Sequence, residues 1–448
     1  MGKVIIGMPL LKAGGGTEVQ IYSLVKILGS GGWRISVICY YEWDESVVQQ
    51  FQEAGIEVRL MNLSRSRDHY VLHDVLVLVV ALRRLLTELK PDVFHVQYLA
   101  PALVPIIASR LAGVRTVFAT SHIAGSYAYR HKAKFLLRIA AKLCTTFFCV
   151  SQGVERFWFG DSLVFDPVRP ALSRKHFTIY NAVDVDKIRE IVMWECREGR
   201  GYEGKKLGGE GCGHIRRYEN RKVGRKEVVK GGSRKIEGRG INDVGCKMQD
   251  ESKIKKHGLA GKKVIGIVGR LAEQKGHKVL LEAMKDIVEA VPEVVLLVIG
   301  DGPECATIQS LITNHELQDH VQLLGGMQHE EVFKLYGTMD VFAMPSLYEG
   351  FGLTATEAMA AGLPVVGTTI EGLSEVIEDG VTGYLVPPGD SKALAQNLIA
   401  LLNDPAKCQR MGQAGYERVK EHFSMEQFRE SMIAVYDQFA AKGEKGRR

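Results

Sequence analysis

Two doubly wound α/β domains are what this sequence predicts, and three observations predict them. Short runs rich in β-branched and aromatic residues alternate with stretches of helical period, the signature of parallel sheets covered by helices. That alternation stops near Trp194 and restarts near Lys262. The chain is 448 residues long, more than a single hydrophobic core usually serves.

The first unit opens with KVIIGMP, a short apolar strand. A glycine-rich turn, AGGGTE from Ala13 to Glu18, leads into the helical pattern VQIYSLVKIL. RISVICY, PDVFHVQY, RTVFATS and TTFFCVS follow as strands with helical sequence between them. The second unit repeats the logic. KKVIGIVG is a strand, HKVLLEAMKDIVEAV a helix and VVLLVIG a strand, and VQLLG, DVFAMPS, PVVGT and GYLVP continue the series. Each unit is therefore expected to be Rossmann-like, the two facing each other across a cleft. Ligands of such sheets sit outside the carboxyl ends of the strands. Near the end of the chain, Phe428, Met432, Val435 and Phe439 recur at helical spacing, which predicts a terminal amphipathic helix docked on a domain. The expected units are 1–186, a hinge with an insertion over 187–257, a second domain over 258–423, and a helix with a polar tail over 424–448.

The middle segment breaks the pattern. Residues 201–250 carry 13 Lys and Arg against 7 Asp and Glu, and 12 of the 48 glycines. Its apolar residues are sparse and without period, so it cannot bury enough surface to offset the entropy of ordering. A disordered, basic, Gly-rich insertion is expected. The formal charge of the whole chain is +6, so this segment accounts for all of it and the two domains are neutral in sum. The basic balance therefore says nothing about the domains; the segment could bind nucleic acid or anionic lipid, but a solvated insertion without function is the favoured reading, and nucleic acid is not an expected partner.

No basic start followed by a long apolar run opens the chain, which leads one to expect a cytoplasmic location. The most apolar run, VLVLVVAL from Val75 to Leu82, is too short to cross a bilayer and reads as a buried helix. SYAYRHKAKFLLRIAAKL, from Ser126 to Leu143, mixes basic residues with aromatics and leucines. It fits either an interfacial helix on anionic lipid, on the inner membrane face, or a helix with a solvated basic face. The eight cysteines show no disulfide spacing, and Cys196, Cys212, His214 and Cys246 lack the CxxC pair of a zinc site. Asp184-Val185-Asp186 spells a DxD in a hinge-like stretch, where metal ligation is not expected.

The stretch PSLYEGFGLTATEAMAAGLPVVGT places Glu349 and Glu357 around a tight turn between a strand and a helix. The first N–H groups of that helix, near Gly352 and Leu353, have no intrahelical partner and favour an anion. Gly350 and Gly352 let the backbone approach a ligand. A carboxylate in such folds often holds the vicinal hydroxyls of a ribose. Taken alone, the two glutamates read better as first-turn carboxylates stabilising a helix dipole.

This sequence resembles the group 1 glycosyltransferases, family 4 of the retaining enzymes with the GT-B fold. The resemblance rests on E-x7-E (Glu349 to Glu357), GRLAEQKG (Gly269–Gly276), VIGDGPE (Val298–Glu304), VQLLGGMQHEEVFKLY, GLSEVIEDGVTGYLVPPGD, IYNAVD (Ile179–Asp184) and GGTE (Gly15–Glu18). It implies that Arg270 and Lys275 clamp a donor diphosphate, that Glu357 holds the ribose, and that Glu349 holds the transferred sugar with the backbone of Phe351, Gly352 and Leu353. It further implies that Gly15 and Gly16 lie against the donor. His122 falls where the family often has Thr-x-His-Asp, but Ile123 replaces the acid; it can contact a hydroxyl, assist proton transfer, or be structural. The implied activity is metal-independent transfer from a nucleotide sugar to a glycan or lipid-linked hydroxyl, with retention and without a cofactor. The competing readings are a GT-B sugar-nucleotide epimerase and a non-catalytic sugar-nucleotide or nucleic-acid binder using the basic insertion.

Overall fold

The computed structural model describes residues 2–12, 16–64, 72–97, 103–122, 132–169, 174–197, 259 and 261–445. Two all-parallel sheets organise them. The first holds seven strands: β1 (Lys3–Leu11), β2 (Arg34–Trp43), β3 (Glu57–Leu60), β4 (Val93–Gln97), β5 (Thr116–Ser121), β6 (Thr146–Cys149) and β7 (His176–Thr178), in the order β3-β2-β1-β4-β5-β6-β7. The second holds six: β8 (Lys263–Val268), β9 (Val294–Ile299), β10 (Val321–Gly325), β11 (Val341–Met344), β12 (Val365–Thr368) and β13 (Gly383–Val386), in the order β10-β9-β8-β11-β12-β13. In each sheet the chain first steps outward from its opening strand, then returns to the other side. The order therefore reverses between β1 and β4 and between β8 and β11, and crevices at such switch points are where these sheets take ligands.

The central strands are apolar throughout because helices cover both faces. Val4, Ile5 and Ile6 of β1 are fully buried, as are Val264 and Ile265 of β8. The terminal helix Met425–Lys445 docks on the first domain, not on the second from which the chain arrives. Phe428, Met432, Val435, Tyr436 and Phe439 join Val4, Ile6, Phe118 and Phe148 in one core cluster. The helix Val185–Arg197 makes the reverse crossing. Its Ile188 and Val192 are buried with Tyr336 and Met359 of the second domain, and Lys187 pairs with Glu330 at 2.7 Å. Residues 187–197 are thus helical where a hinge was expected. The remainder of the expected insertion, 198–257, lies outside the described residues, and so do Cys212, His214 and Cys246. Asp184 caps the Val185–Arg197 helix, its Oδ1 accepting from the Lys187 N–H at 3.1 Å.

One expectation is corrected. The run Val75–Leu82 is not a buried helix. It belongs to the helix Leu72–Leu89, whose Leu78, Leu82 and Leu86 face the core while Leu76 is 55% and Val80 65% exposed. An all-apolar run has no period, so it cannot say which of its faces the sheet covers.

Candidate active site

The second domain's switch point carries most of the site. Just past the end of β8, the loop Gly269–Gly276 holds Arg270, exposed, and Lys275, with 20% of its side chain exposed. Past the end of β11, the turn Pro345–Gly352 holds Glu349. Two hydrogen bonds stitch the loop to the turn: Leu347 N–H donates to the Gln274 carbonyl at 2.8 Å, and the Gln274 amide donates to the Tyr348 carbonyl at 2.9 Å. Lys275 Nζ consequently reaches Glu349 Oε1 and forms an ion pair. Ser346 Oγ donates to the same carboxylate oxygen at 3.3 Å. Gln274 stands in the middle of GRLAEQKG, so the motif itself was the available signal for it.

The helix Leu353–Ala360 follows the turn. Gly352 is its N-cap at φ 103°, and a Cβ there would lie 2.5 Å from Leu373 Cδ2. Only glycine takes both that backbone and that contact readily. The side chain of Leu353, the first residue of that helix, reaches the first domain. A Cβ on Gly16, at the start of the first domain's opening helix, would lie 2.7 Å from Leu353 Cδ1. The two glycine-led helix starts therefore meet across the cleft. Gly15 lies outside the described residues. Lys12, at the end of β1, is near enough to Arg270 for the two charges to oppose each other.

Glu357 sits one turn into the helix, 5% exposed. Its Oε2 accepts from the Tyr336 hydroxyl at 3.1 Å, and His329 Nε2 stands 3.6 Å from Oε1. Burial raises its pKa above the usual carboxylate value, while His329 and Tyr336 pull the other way. Phe351 is 2% exposed and packs against Tyr180 and Phe423, so it offers backbone rather than side chain to the cleft.

On the first domain's side, His122 follows β5. Its Nε2 lies 2.8 Å from Gln97 Oε1, the Gln97 amide nitrogen lies 3.2 Å from His95 Nε2, and His95 Nδ1 lies 2.6 Å from the Tyr436 hydroxyl. Thr120 adds a contact to His95 Nε2 at 2.7 Å. One proton arrangement satisfies the chain. His122 donates from Nε2 to Gln97, Gln97 donates to His95, and His95 donates from Nδ1 to Tyr436. His122 Nδ1 is then an acceptor. Burial lowers the pKa of both imidazoles to about 3, so both are neutral. A cavity lined by Gln20, Thr120, His122, Asn181 and Met432 lies beside this chain of contacts.

Two family profiles match the sequence. Glycosyl transferases group 1 matches residues 249–418, and a glycosyl transferase 4-like domain matches residues 15–157. The chain belongs to the group 1 glycosyltransferases. Among curated relatives it is 36% identical over 162 residues to N-acetyl-alpha-D-glucosaminyl L-malate synthase of Bacillus anthracis, covering 35% of this chain and 42% of that protein. It is 35% identical over 185 residues to phosphatidyl-myo-inositol mannosyltransferase of Mycobacterium leprae, covering 41% and 48%. The aligned stretches thus span somewhat less than half the length of these relatives. Among solved structures, Anabaena HepE in complex with UDP and glucose aligns with a TM-score of 0.68 at 19% identity, over 98% of this chain and 100% of that one. That likeness is one of fold. Fold and family agree on a two-domain GT-B glycosyltransferase architecture.

Proposed function

We propose that this protein is a retaining glycosyltransferase that moves a sugar from a nucleotide diphosphate sugar to a hydroxyl of a glycan or lipid-linked acceptor, without a metal ion. The observation that carries this reading is the ion pair of Lys275 and Glu349 across the carboxyl ends of β8 and β11, with Arg270 on the same loop as Lys275 and Glu357 on the helix that follows the Glu349 turn.

Arg270 and Lys275 would neutralise the leaving diphosphate, where fixed cations stabilise charge as it develops. Glu357 would take the ribose hydroxyls beside His329. Glu349 and the N–H groups of Phe351, Gly352 and Leu353 would hold the transferred sugar. His122, accepting through Nδ1, would take a sugar hydroxyl rather than protonate it. The glycosidic bond to phosphate breaks first, giving an oxocarbenium-like cation paired with the diphosphate. The acceptor oxygen then bonds to the anomeric carbon from the face the phosphate leaves. Its proton passes to a phosphate oxygen, so retention needs no enzyme nucleophile. Proton NMR of the product formed from an α-linked donor tests this: an α product is expected, and a β product would overturn it.

An acceptor at a membrane has its own support. The helices Leu72–Leu89 and Lys132–Leu143 cover the same face of the first sheet, on either side of Leu103–Leu111. Leu72 (72%), Val80 (65%) and Phe135 (66%) project outward from them, beside exposed Arg83, Arg84 and Arg138. Apolar residues rimmed by cations suit anionic lipid.

A further inference from the structure

The helix Gln152–Phe159 of the first domain begins at the domain boundary, and the second domain completes its start. Its N-cap, Ser151, is fully buried. Ser151 Oγ accepts from the Val154 N–H at 3.2 Å and donates to the Gly350 carbonyl at 2.7 Å. Gly350 is the residue after Glu349. The N–H groups of Gln152 and Gly153 donate to the carboxylate of Glu375 at 2.8 and 2.5 Å. Glu375 stands on the helix Glu371–Val376 of the second domain, with 10% of its side chain exposed.

The two helices touch. A Cβ on Gly153 would lie 2.4 Å from Glu371 Cβ. The helix Glu371–Val376 also rests on the active-site turn, since a Cβ on Gly372 would lie 2.9 Å from Phe351 N and 3.0 Å from the Glu349 carbonyl. The turn is thus held on one side by Ser151 and on the other by the helix that carries Glu375. A carboxylate at a helix N-terminus gains from the dipole and from charge-assisted hydrogen bonds, and here the two partners come from different domains. Arg156 adds a cation 3.8 Å from Glu375.

We propose that Glu375 is a positioning residue: it locks the start of the Gln152–Phe159 helix to the second domain, which seats Ser151 on Gly350 and fixes the turn that presents Glu349 to the transferred sugar. This rests on the donor site proposed above. The contact acts on the sugar end of that site and not on Glu357 and Arg270 at its nucleotide end.

The test uses full-length protein with Glu375→Ala, Glu375→Gln and Ser151→Ala. The probes are UDP, GDP and ADP, with UDP-glucose, GDP-mannose and ADP-glucose. In the two alanine variants, affinity for the nucleoside diphosphate should be unchanged, while kcat for donor hydrolysis should fall by about a hundredfold, the cost of a misplaced reacting group. Glu375→Gln keeps one acceptor oxygen and should fall in between. Ser151→Ala combined with Glu375→Ala should be no worse than either alanine variant alone. Amide exchange of the peptide covering 347–354 should quicken in both alanine variants. A purely destabilising effect would instead weaken nucleoside diphosphate and sugar nucleotide together. Unchanged kcat with unchanged exchange in Ser151→Ala and Glu375→Ala overturns the proposal. Should the wild-type chain bind none of the probes, the donor-site reading falls, and exchange alone decides whether the interdomain lock holds the turn.

Discussion

Lys275 and Glu349 are paired with one another inside the cleft, although they belong to different strand ends and to different halves of the proposed donor site. The proposed site assigns Lys275 to phosphate and Glu349 to sugar, yet each is the other's counter-charge. Substituting either one therefore changes the other's environment. Glu349→Gln releases Lys275 from its carboxylate, so nucleoside diphosphate affinity is expected to hold or rise. Turnover is expected to fall by about 10²–10³, the scale for loss of one preorganised electrostatic contact. Lys275→Ala should do the opposite first. It should weaken nucleoside diphosphate binding by about ten- to a hundredfold, since hydrogen bonds to charged groups contribute about 1.5–3 kcal/mol. Calorimetric titration with the diphosphate and steady-state hydrolysis separate the two effects.

Gly352 carries a steric prediction. At φ 103° and with Leu373 Cδ2 2.5 Å from a would-be Cβ, Gly352→Ala should lose about 1–3 kcal/mol of stability. It should also lose donor binding, because the helix start that faces Gly16 has to shift. Urea unfolding checks the first. A variant as stable as the parent would show that the turn is held more loosely than these contacts require.

Much of this was legible in the sequence, for identifiable reasons. Eleven of the strands were predicted, each from a short run rich in β-branched and aromatic residues. Those left unpredicted are β3 and β7, EVRL and HFT, which form the two edges of the first sheet. These two are short and half polar, so they carry no hydrophobic run to read. The terminal helix was legible because Phe428, Met432, Val435 and Phe439 repeat at 3.6; the domain that receives it was not. The site glutamates came from a spaced motif. Ser151 and Glu375 did not, because a serine ending TTFFCVS and a glutamate inside GLSEV become partners only when two domains meet. Gln97 and His95 were likewise read as strand residues, and their contacts with His122 and Tyr436 span 25 and 341 positions in sequence.

Buried His95 sets a pH dependence. Its pKa falls from the ordinary 6.5 to about 3, by burial. A depressed pKa means that the unfolded chain binds the proton more tightly. The stabilising contribution is thus complete above pH 6.5 and is lost as pH falls toward 3. Between pH 8 and 5.5 the loss from this one group is expected to be about 1–2 kcal/mol. Denaturant unfolding at the two pH values checks it, with His95→Gln as the control: less stable at pH 8, but with a smaller difference between the two.

The outward face of the Leu72–Leu89 helix gives a lipid prediction. Vesicles containing anionic phosphatidylglycerol should sediment the protein, and neutral phosphatidylcholine vesicles should not. Leu76→Gln with Val80→Gln keeps every charge and removes exposed apolar surface, so binding should drop by about tenfold or more. Undiminished binding would assign the attraction to charge elsewhere, with the segment 201–250 the first candidate.

The most direct measurement is thermal stabilisation by UDP-, GDP- and ADP-sugars in EDTA, for wild type and Glu357→Ala. Stabilisation by one nucleotide class, undiminished by EDTA and lost in the variant, is the expected result. No stabilisation by any donor, or an equal response in Glu357→Ala, would contradict a donor site at Lys275, Glu349 and Glu357.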